Sequence, residues 1–161
     1  MQHDKLRLKN FREGNKMHIE KAEPSDVQEI LRLNAQIKVD TPVFQGSSAP
    51  WIVEQLKNGN YFVMRDEDRI CGAFCVLERD GKFHLETIAV DKNVHGKGIG
   101  KKFVDFAITK AKEKGFSSLV VDTFCEYKVD GFYEHIGFRK IPTFAQYRGK
   151  PYHRLTMNVP G

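Results

Sequence analysis

Three glycines stand at alternate positions in the run His95-Gly-Lys-Gly-Ile-Gly100, which follows an apolar stretch and precedes a lysine-rich one. A glycine turn that leads into a helix can bind phosphate, because the first N–H groups of a helix have no acceptor within it and the dipole adds partial positive charge. Glycine also lets the backbone approach a ligand without a Cβ atom in the way. The run therefore predicts an anion site, although a turn that needs glycine for its backbone conformation alone explains the same residues.

Two well-known phosphate motifs do not fit this turn. The P-loop pattern GxxxxGK[ST] needs Ser or Thr after its lysine, and Lys101 is followed by Lys102. The dinucleotide pattern GxGxxG needs a glycine at the position of Lys101. A third pattern, [R/Q]xxGxG, fits at every position except the first, which is His95.

A resemblance to a known family rests on two segments of the chain. The first, HLETIAVDKNVHGKGIGKKFVDFAITKAKEKGFSSLVVDTF, contains the glycine turn, and the second is GFYEHIGFRKI. Together they resemble the GNAT superfamily of acyl-CoA-dependent N-acetyltransferases. The likeness covers residues 17–159 through the order of elements and is strongest over 83–141. A GKGIG turn at a helix start followed by FYxxxGF is a specific combination, whereas either half alone is not.

The resemblance implies that acetyl-CoA is the acyl donor and that backbone N–H groups of the turn hold its pyrophosphate. It also implies that the strand before the turn binds the pantetheine arm through its backbone, and that Tyr133 lies near the sulfur. At two positions the chain departs from the family, since His95 replaces the usual Arg or Gln and Glu126 replaces a frequent Asn. The cofactor-binding residues implied in this way are Ile88, Ala89, Val90, His95, Gly96, Lys97, Gly98, Ile99, Gly100 and Lys101.

Acyl transfer to an amine needs a base for the amine, a donor for the oxyanion and an acid for the leaving thiolate. Glu86 is the first candidate for the base, because strand alternation places it on one face with Ile88 and Val90. His84, on the same face, or ordered water could take this role instead. A backbone N–H near residues 88–90 is the natural oxyanion donor.

Tyr133 is the candidate acid, and its position on an apolar helical stripe makes core packing the other explanation for it. Asp122 and Glu126 are further carboxylates near the site that could hold a cationic acceptor. No His or Asn pairing marks Cys125 as a nucleophile, so we expect direct transfer without an acyl-enzyme. The acceptor would be shaped by residues 40–50, the helix around Trp51 and the loop 142–152.

The periodicity of the chain predicts an α/β fold with one mixed, mostly antiparallel sheet flanked by helices, and the resemblance adds a splay between the fourth and fifth strands. Residues 1–16 are predicted to be a loose extension and 17–161 one domain, with Ser25 capping the first helix. The predicted elements are a strand from Met17, helices after Ser25 and over Trp51–Lys57, strands over Tyr61–Arg65, Ile70–Glu78 and Phe83–Val90, a helix from the glycine turn to Lys114, a strand over Ser118–Phe124, a helix over Val129–Ile136, and strands over Phe138–Ile141 and Tyr152–Asn158.

The composition limits the possible partners. The 161 residues include 26 Lys and Arg against 21 Asp and Glu, a net charge of +5. Residues 91–116 contain seven lysines and three carboxylates, so the excess positive charge is concentrated beside the glycine turn. No apolar run approaches the roughly 20 residues of a membrane span, and the histidines and three cysteines show no metal-ligand spacing. We therefore expect a cytoplasmic protein with reduced thiols, no metal and no membrane contact.

The sequence is compatible with three functions. The first is an enzyme that moves an acetyl group from acetyl-CoA directly to a primary amine of a small molecule, peptide or protein, with a homodimer possible. The second is a non-catalytic acyl-CoA-binding module on the same fold. The third, a nucleic-acid binder, is disfavoured because no stacking aromatics interleave the lysines.

Overall fold

The structure is a computed structural model, and it describes residues 17–36, 48–94, 96, 98–142, 145–147 and 149–160. The chain forms two compact units. The first contains the described residues up to Cys75 together with those of Ile88–Lys97, and the second contains Val76–Thr87 and the described residues from Gly98 onward. None of the described helices is both long and apolar enough to cross a membrane. The predicted extension over 1–16 and most of the loop over 40–50 lie outside these residues.

The first unit is built on an antiparallel ladder. β1 (Met17–Lys21) pairs with β2 (Tyr61–Asp66), and β2 pairs with the first part of β3 (Arg69–Arg79). Aromatic and β-branched residues favour such a pleated, half-buried surface, and β2 is buried from Tyr61 to Met64. β2 and β3 form a hairpin, and Glu67 in its turn adopts a left-handed φ of 60°.

Two helices complete the first unit, and the start of one differs from the prediction. A 3-10 turn (Pro24–Asp26) leads into α1 (Val27–Asn34), and the carboxylate of Asp26, not the hydroxyl of Ser25, accepts a hydrogen bond from the Glu23 N–H at 2.8 Å. Ser25 as the cap is therefore wrong, because the box formed by Glu23 and Asp26 takes that place. α2 (Ala49–Lys57) is capped by Ser48.

The second unit contains the start of β4 (Lys82–Val90) and the elements that follow the glycine turn. These are α3 (Ile99–Glu113), β5 (Ser118–Phe124), α4 (Asp130–Ile136), β6 (Arg139–Lys140), β7 (Ala145–Tyr147) and β8 (Lys150–Asn158). β8 is the organising strand, since it pairs with β5 over all seven residues of β5 and also with β6 and β7. The apolar face of α3 is buried at Ile99, Phe103, Val104, Ala107 and Ala111.

The strands form one sheet in the order β1-β2-β3-β4-β5-β8-β6, with β7 paired to β8. β4 and β5 are parallel, while the β1–β2, β2–β3 and β8 ladders are antiparallel. The predicted fold class, a mixed and mostly antiparallel sheet flanked by helices, is confirmed. Two details differ: β6 is shorter than the predicted strand over 138–141, and β7 lies within the loop predicted over 142–152.

Candidate active site

α3 begins directly after the glycine turn. Gly98 is its N-terminal cap, and the Gly98 carbonyl accepts a helical hydrogen bond from the N–H of Lys102 at 3.1 Å. The N–H groups of Ile99, Gly100 and Lys101 therefore have no acceptor within the helix, and Gly98 has no side chain to cap them. Three backbone donors at one helical end are what a phosphate group binds.

The described glycines of the turn leave its backbone open. Gly96 and Gly98 adopt left-handed φ angles of 85° and 73°, a conformation that favours glycine. A Cβ atom built at either position meets no atom of another described part of the chain within 4 Å, so a ligand can reach this backbone. The side chain of Lys101 is exposed and its ammonium pairs with Asp105 at 2.9 Å, so the fixed donors here are backbone groups. His95 and Lys97 lie outside the described residues.

Gly100 is also required for packing. A Cβ atom at Gly100 would lie 2.8 Å from Cζ of Phe132, so any side chain there would push against this ring. Phe132 is 44% exposed and packs edge-on against Tyr133, with their ring centroids 5.2 Å apart. The start of α3 is thus linked to Tyr133 on α4 through one aromatic ring.

Tyr133 is buried between two aromatic rings. Phe138 also packs edge-on against Tyr133, at a centroid distance of 5.6 Å, and the exposed fraction of Tyr133 is 5%. Burial raises the pKa of Tyr133 well above its ordinary value. The phenol therefore stays protonated at neutral pH and can act as a hydrogen-bond donor.

Asp91 fixes the backbone that leads into the glycine turn, within the first unit. Its N–H donates to the Cys71 carbonyl at 2.8 Å, and its carboxylate accepts from the Asn93 N–H at 3.0 Å. Arg32 of α1 and Arg69 of β3 each approach the same carboxylate oxygen at 3.4 Å. The Asn93 hydrogen bond and the two guanidinium groups outweigh burial and hold the pKa of Asp91 below its ordinary value.

A polar cluster lies where the parallel pairing of β4 and β5 ends. The paired residues are Phe83–Leu85 with Leu119–Val121, so Glu86 and Asp122 follow directly after the last pair on each strand. Arg79 of β3 contacts both carboxylates through Nη2, at 3.1 Å from Glu86 Oε2 and 3.6 Å from Asp122 Oδ2. We name Arg79, His84, Glu86, Asp122 and Arg154 the β4–β5 cluster.

Arg154 completes this cluster from β8. It holds Asp122 in a two-pronged pair, with Nε 2.8 Å from Oδ1 and Nη2 3.0 Å from Oδ2. Side-chain burial alternates from Leu85 to Val90, with Glu86, Ile88 and Val90 as the more exposed members. The predicted alternation of this strand is therefore confirmed, and the catalytic role of Glu86 stays a prediction.

His84 shares the face of Glu86 but is buried, with an exposed fraction of 1%. Its Nδ1 lies 3.3 Å from Nη2 of Arg79, which can only donate, so the proton of the neutral ring belongs on Nε2. Nε2 is buried without a partner among the described residues. Burial and the positive charge of Arg79 lower the pKa of His84 to about 4. A neutral His84 at physiological pH leaves Glu86 as the charged candidate base on this face.

The carboxylate of Asp130 anchors α4, the helix that carries Tyr133. Oδ2 of Asp130, the first residue of α4, lies 2.5 Å from Nδ1 of His153 on β8 and 2.9 Å from Nζ of Lys140 on β6. Burial alone would raise the pKa of Asp130, but the hydrogen bonds from Lys140 and His153 outweigh it and lower that pKa. No motif marks His153 in the sequence, and in the structure its contact with Asp130 positions α4.

The predicted site residues fall into three groups in the structure. Gly98, Ile99, Gly100 and Lys101 form the start of α3, and Glu86 belongs to the β4–β5 cluster with Asp122. Ile88, Ala89 and Val90 form the end of β4 in the first unit, where Ala89 is buried. The described residues hold no group of three or more His, Cys, Asp or Glu that could bind a metal ion. The side chain of Glu126 lies outside the description.

Sequence reasoning missed both arginines of the β4–β5 cluster. Arg79 could have been found from hairpin geometry, because a two-residue turn at Asp80-Gly81 places Arg79 beside Lys82 and hence on the face of His84 and Glu86. The turn has this form, since Asp80 and Gly81 adopt φ angles of 54° and 74°. Arg154 had no such local signal, because its partner is set by the long-range register of β8 on β5.

Comparison with known proteins decides the family. The model of the acetyltransferase (GNAT) domain matches residues 57–140, more than half of the chain. The chain belongs to the GNAT acetyltransferase family. Members of this GNAT family use acetyl-CoA as the acyl donor. The match contains the glycine turn, the β4–β5 cluster except Arg154, and Tyr133.

The GNAT relatives of the chain are distant. Human N-acetyltransferase 8B is 28% identical over 87 residues, which are 50% of this chain and 38% of that protein. Glucosamine 6-phosphate N-acetyltransferase of Arabidopsis thaliana is 39% identical over 54 residues, 34% of this chain and 35% of that protein. The matches thus span less than two fifths of these relatives. The crystal structure of Ard1 from Thermoplasma volcanium superposes with a TM-score of 0.78 at 14% identity, over 91% of this chain and 99% of that one, and shares the fold.

Proposed function

We propose that this chain is an N-acetyltransferase that moves an acetyl group from acetyl-CoA directly to a primary amine of a small molecule or of a peptide or protein. The observation that carries the proposal is the position of Glu86 and Asp122 directly after the last parallel pair of β4 and β5. Two carboxylates at that point can receive an ammonium group and take up its proton. Family membership supports the reaction class.

The residues present fit coenzyme A at the start of α3. The N–H groups of Ile99, Gly100 and Lys101 lack helical acceptors, and the backbone at Gly96 and Gly98 is open. These donors would hold the pyrophosphate, and the backbone of 88–90 would hold the pantetheine arm. When bound, acetyl-CoA supplies the thioester from which the acetyl group is transferred.

The chain's own groups then have two tasks. The net reaction forms one C–N bond, breaks one C–S bond and moves one proton from the amine to the leaving sulfur. Glu86 takes the proton from the amine, directly or through water, and Arg79 keeps the carboxylate in place at 3.1 Å. Tyr133 donates a hydrogen bond to the departing sulfur, for which its protonated phenol is suited. His84 is neutral and buried, so it positions Arg79.

Tyr133→Phe tests the proposal most directly, because it keeps the ring between Phe132 and Phe138 and removes the hydroxyl alone. We expect turnover to fall by about 100-fold or more, in the range of a lost acid catalyst, while CoA affinity stays within about threefold. The assay follows free CoA release over a panel of amines, with CoA affinity measured by calorimetry. Tyr61→Phe is the matched control, because it removes another buried hydroxyl, the acceptor of Asn34 at 3.0 Å, outside the proposed site.

One outcome would contradict the role of Tyr133, and another would contradict the proposed transferase activity. Turnover that survives in Tyr133→Phe would remove Tyr133 from the mechanism. Bound CoA together with negligible turnover in both proteins would favour the non-catalytic acyl-CoA-binding module. A cytoplasmic location, a possible homodimer and the lack of a nucleic-acid partner stay predictions from the sequence.

A further inference from the structure

A small cavity of about 160 Å³ opens in the second unit beside the β4–β5 cluster. Its walls come from the start of β4, from the segment after β6, and from β7 and β8. The lining residues are Lys82, Ile141, Ala145, Tyr152 and Arg154. Two of these five are cations and none is a carboxylate. Asp122 already pairs with Arg154, so the groups that the cavity offers to an anion are Nη1 of Arg154 and the ammonium of Lys82.

The two cations differ in how they are held. Arg154 is fixed by its pair with Asp122, which uses Nε and Nη2 and leaves Nη1 without a partner among the described residues. Lys82 is exposed and forms no ion pair with any described side chain. A guanidinium whose orientation is already fixed loses little entropy when it binds a carboxylate or phosphate. Lys82 adds a point charge on a flexible side chain, which can contact either a carboxylate or a phosphate.

The cavity is joined to the candidate base through Arg154. Arg154 contacts Asp122 at 3.0 Å, Asp122 contacts Arg79 at 3.6 Å, and Arg79 contacts Glu86 at 3.1 Å. Two hydrogen bonds and one ion pair of 3.6 Å therefore connect the anion-binding group to the carboxylate that would deprotonate the amine. The cavity and the candidate base thus belong to one connected set of charged side chains, which favours an acceptor that carries both an anionic group and an amine.

We infer that the acceptor is a small primary amine with a carboxylate or phosphate group, which Arg154 and Lys82 bind while the amine reaches Glu86. This inference rests on the proposed acetyl transfer and adds the substrate class. Ile141 and Ala145 complete the cavity with apolar surface, which fits a short carbon skeleton between the two charged ends. The volume is too small for a folded partner.

Binding measurements on the full chain test this without relying on turnover. Two matched pairs serve as probes: glucosamine 6-phosphate against glucosamine, and 4-aminobutanoate against its amide. For at least one pair we expect the anionic member to bind about tenfold more tightly, as for a charge-assisted hydrogen bond. The pair that shows the larger difference identifies phosphate or carboxylate as the preferred group. Equal affinity within both pairs would overturn the inference.

Variants then assign the effect to the cavity. Arg154→Gln should abolish the preference for the anionic probe, and Lys82→Gln, which disturbs no described ion pair, should reduce it by about threefold. Arg139→Gln is the matched control, because it removes an exposed cation of β6 that does not line the cavity. A preference that persists in both Arg154→Gln and Lys82→Gln would place the anion elsewhere and refute the assignment.

Parallel turnover assays separate this inference from the proposed function. Anionic amines that bind through Arg154 but are never acetylated would refute the transferase and leave the anion site standing. Neutral amines that are acetylated as fast as anionic ones, with equal affinity, would leave the transferase standing and refute the anion site.

Discussion

The buried imidazole of His84 makes the stability of this protein depend on pH in a defined window. Its pKa is lowered from 6.5 to about 4, first by burial and then by the charge of Arg79. The unfolded chain therefore binds a proton more readily than the folded chain between these values. Stability from this group is complete above about pH 6.5 and is lost as the pH falls towards 4.

The two pKa values give the size of the effect. Linkage predicts that His84 alone lowers the free energy of unfolding by about 2 kcal/mol between pH 7.5 and 5, and by about 3 kcal/mol at pH 4. A loss of this size is a large part of the 5–15 kcal/mol that stabilises a typical domain. Its causes are the burial of the imidazole ring and, second, the positive charge of Arg79.

Urea unfolding from pH 7.5 to 5 measures this effect once other titrating groups are subtracted. His84→Asn cannot titrate, so the difference in unfolding free energy between the parent and this variant should fall by about 2 kcal/mol over that range. His135→Asn removes an exposed histidine from α4 and serves as the control. A difference between the parent and His84→Asn that stays constant within about 0.5 kcal/mol would refute the assignment of a buried, neutral His84.

Two further substitutions test the packing around the glycine turn. Gly100→Ala should destabilise the protein by about 1–3 kcal/mol through overpacking against Phe132, but should be neutral or stabilising in a Phe132→Ala background, where the helix propensity of alanine prevails. Urea unfolding of both single variants and the double variant checks this, and additive effects would count against the contact. Asp91→Asn should cost about 1 kcal/mol, because the approaching guanidiniums are exposed and distant, and should raise KM for acetyl-CoA more than it lowers kcat. Steady-state kinetics measure that split, and a change in kcat alone would contradict a positioning role.

Most elements could be predicted because their signals are local. The turns at 66–68 and 80–81 interrupt runs of β-branched and aromatic residues, so β2, β3 and β4 follow from neighbouring residues. The Ser118–Phe124 strand was predicted with its observed bounds, since a continuous apolar run is typical of a strand buried on both faces. The prediction of Ser25 as the cap was wrong because Glu23 and Asp26 bind the backbone groups at this helix start. The residue types alone do not show which of these three side chains will cap the helix.

The candidate site was less accessible to sequence reasoning. The glycine turn and Tyr133 came from a motif, whereas the β4–β5 cluster depends on which residues three strands bring together. The partners of Asp122 are Arg79 and Arg154, which are far from it in the chain. Such pairs depend on register, and a shift of one residue would send Arg154 to the opposite face. For the same reason β7 could not be predicted, because it has only three residues and forms by pairing with β8.

The pairing of β8 with three other strands also determines when the second unit can fold during synthesis. β5 leaves the ribosome before β8, and until residues 150–158 emerge one of its edges lacks the seven-residue ladder that β8 provides. β6 and β7 have the same missing partner during that time. An apolar strand with an open edge is a template for pairing with other chains. Nascent chains halted before residue 150 should therefore aggregate or recruit chaperones, whereas chains in which residues 150–158 have emerged can complete these ladders.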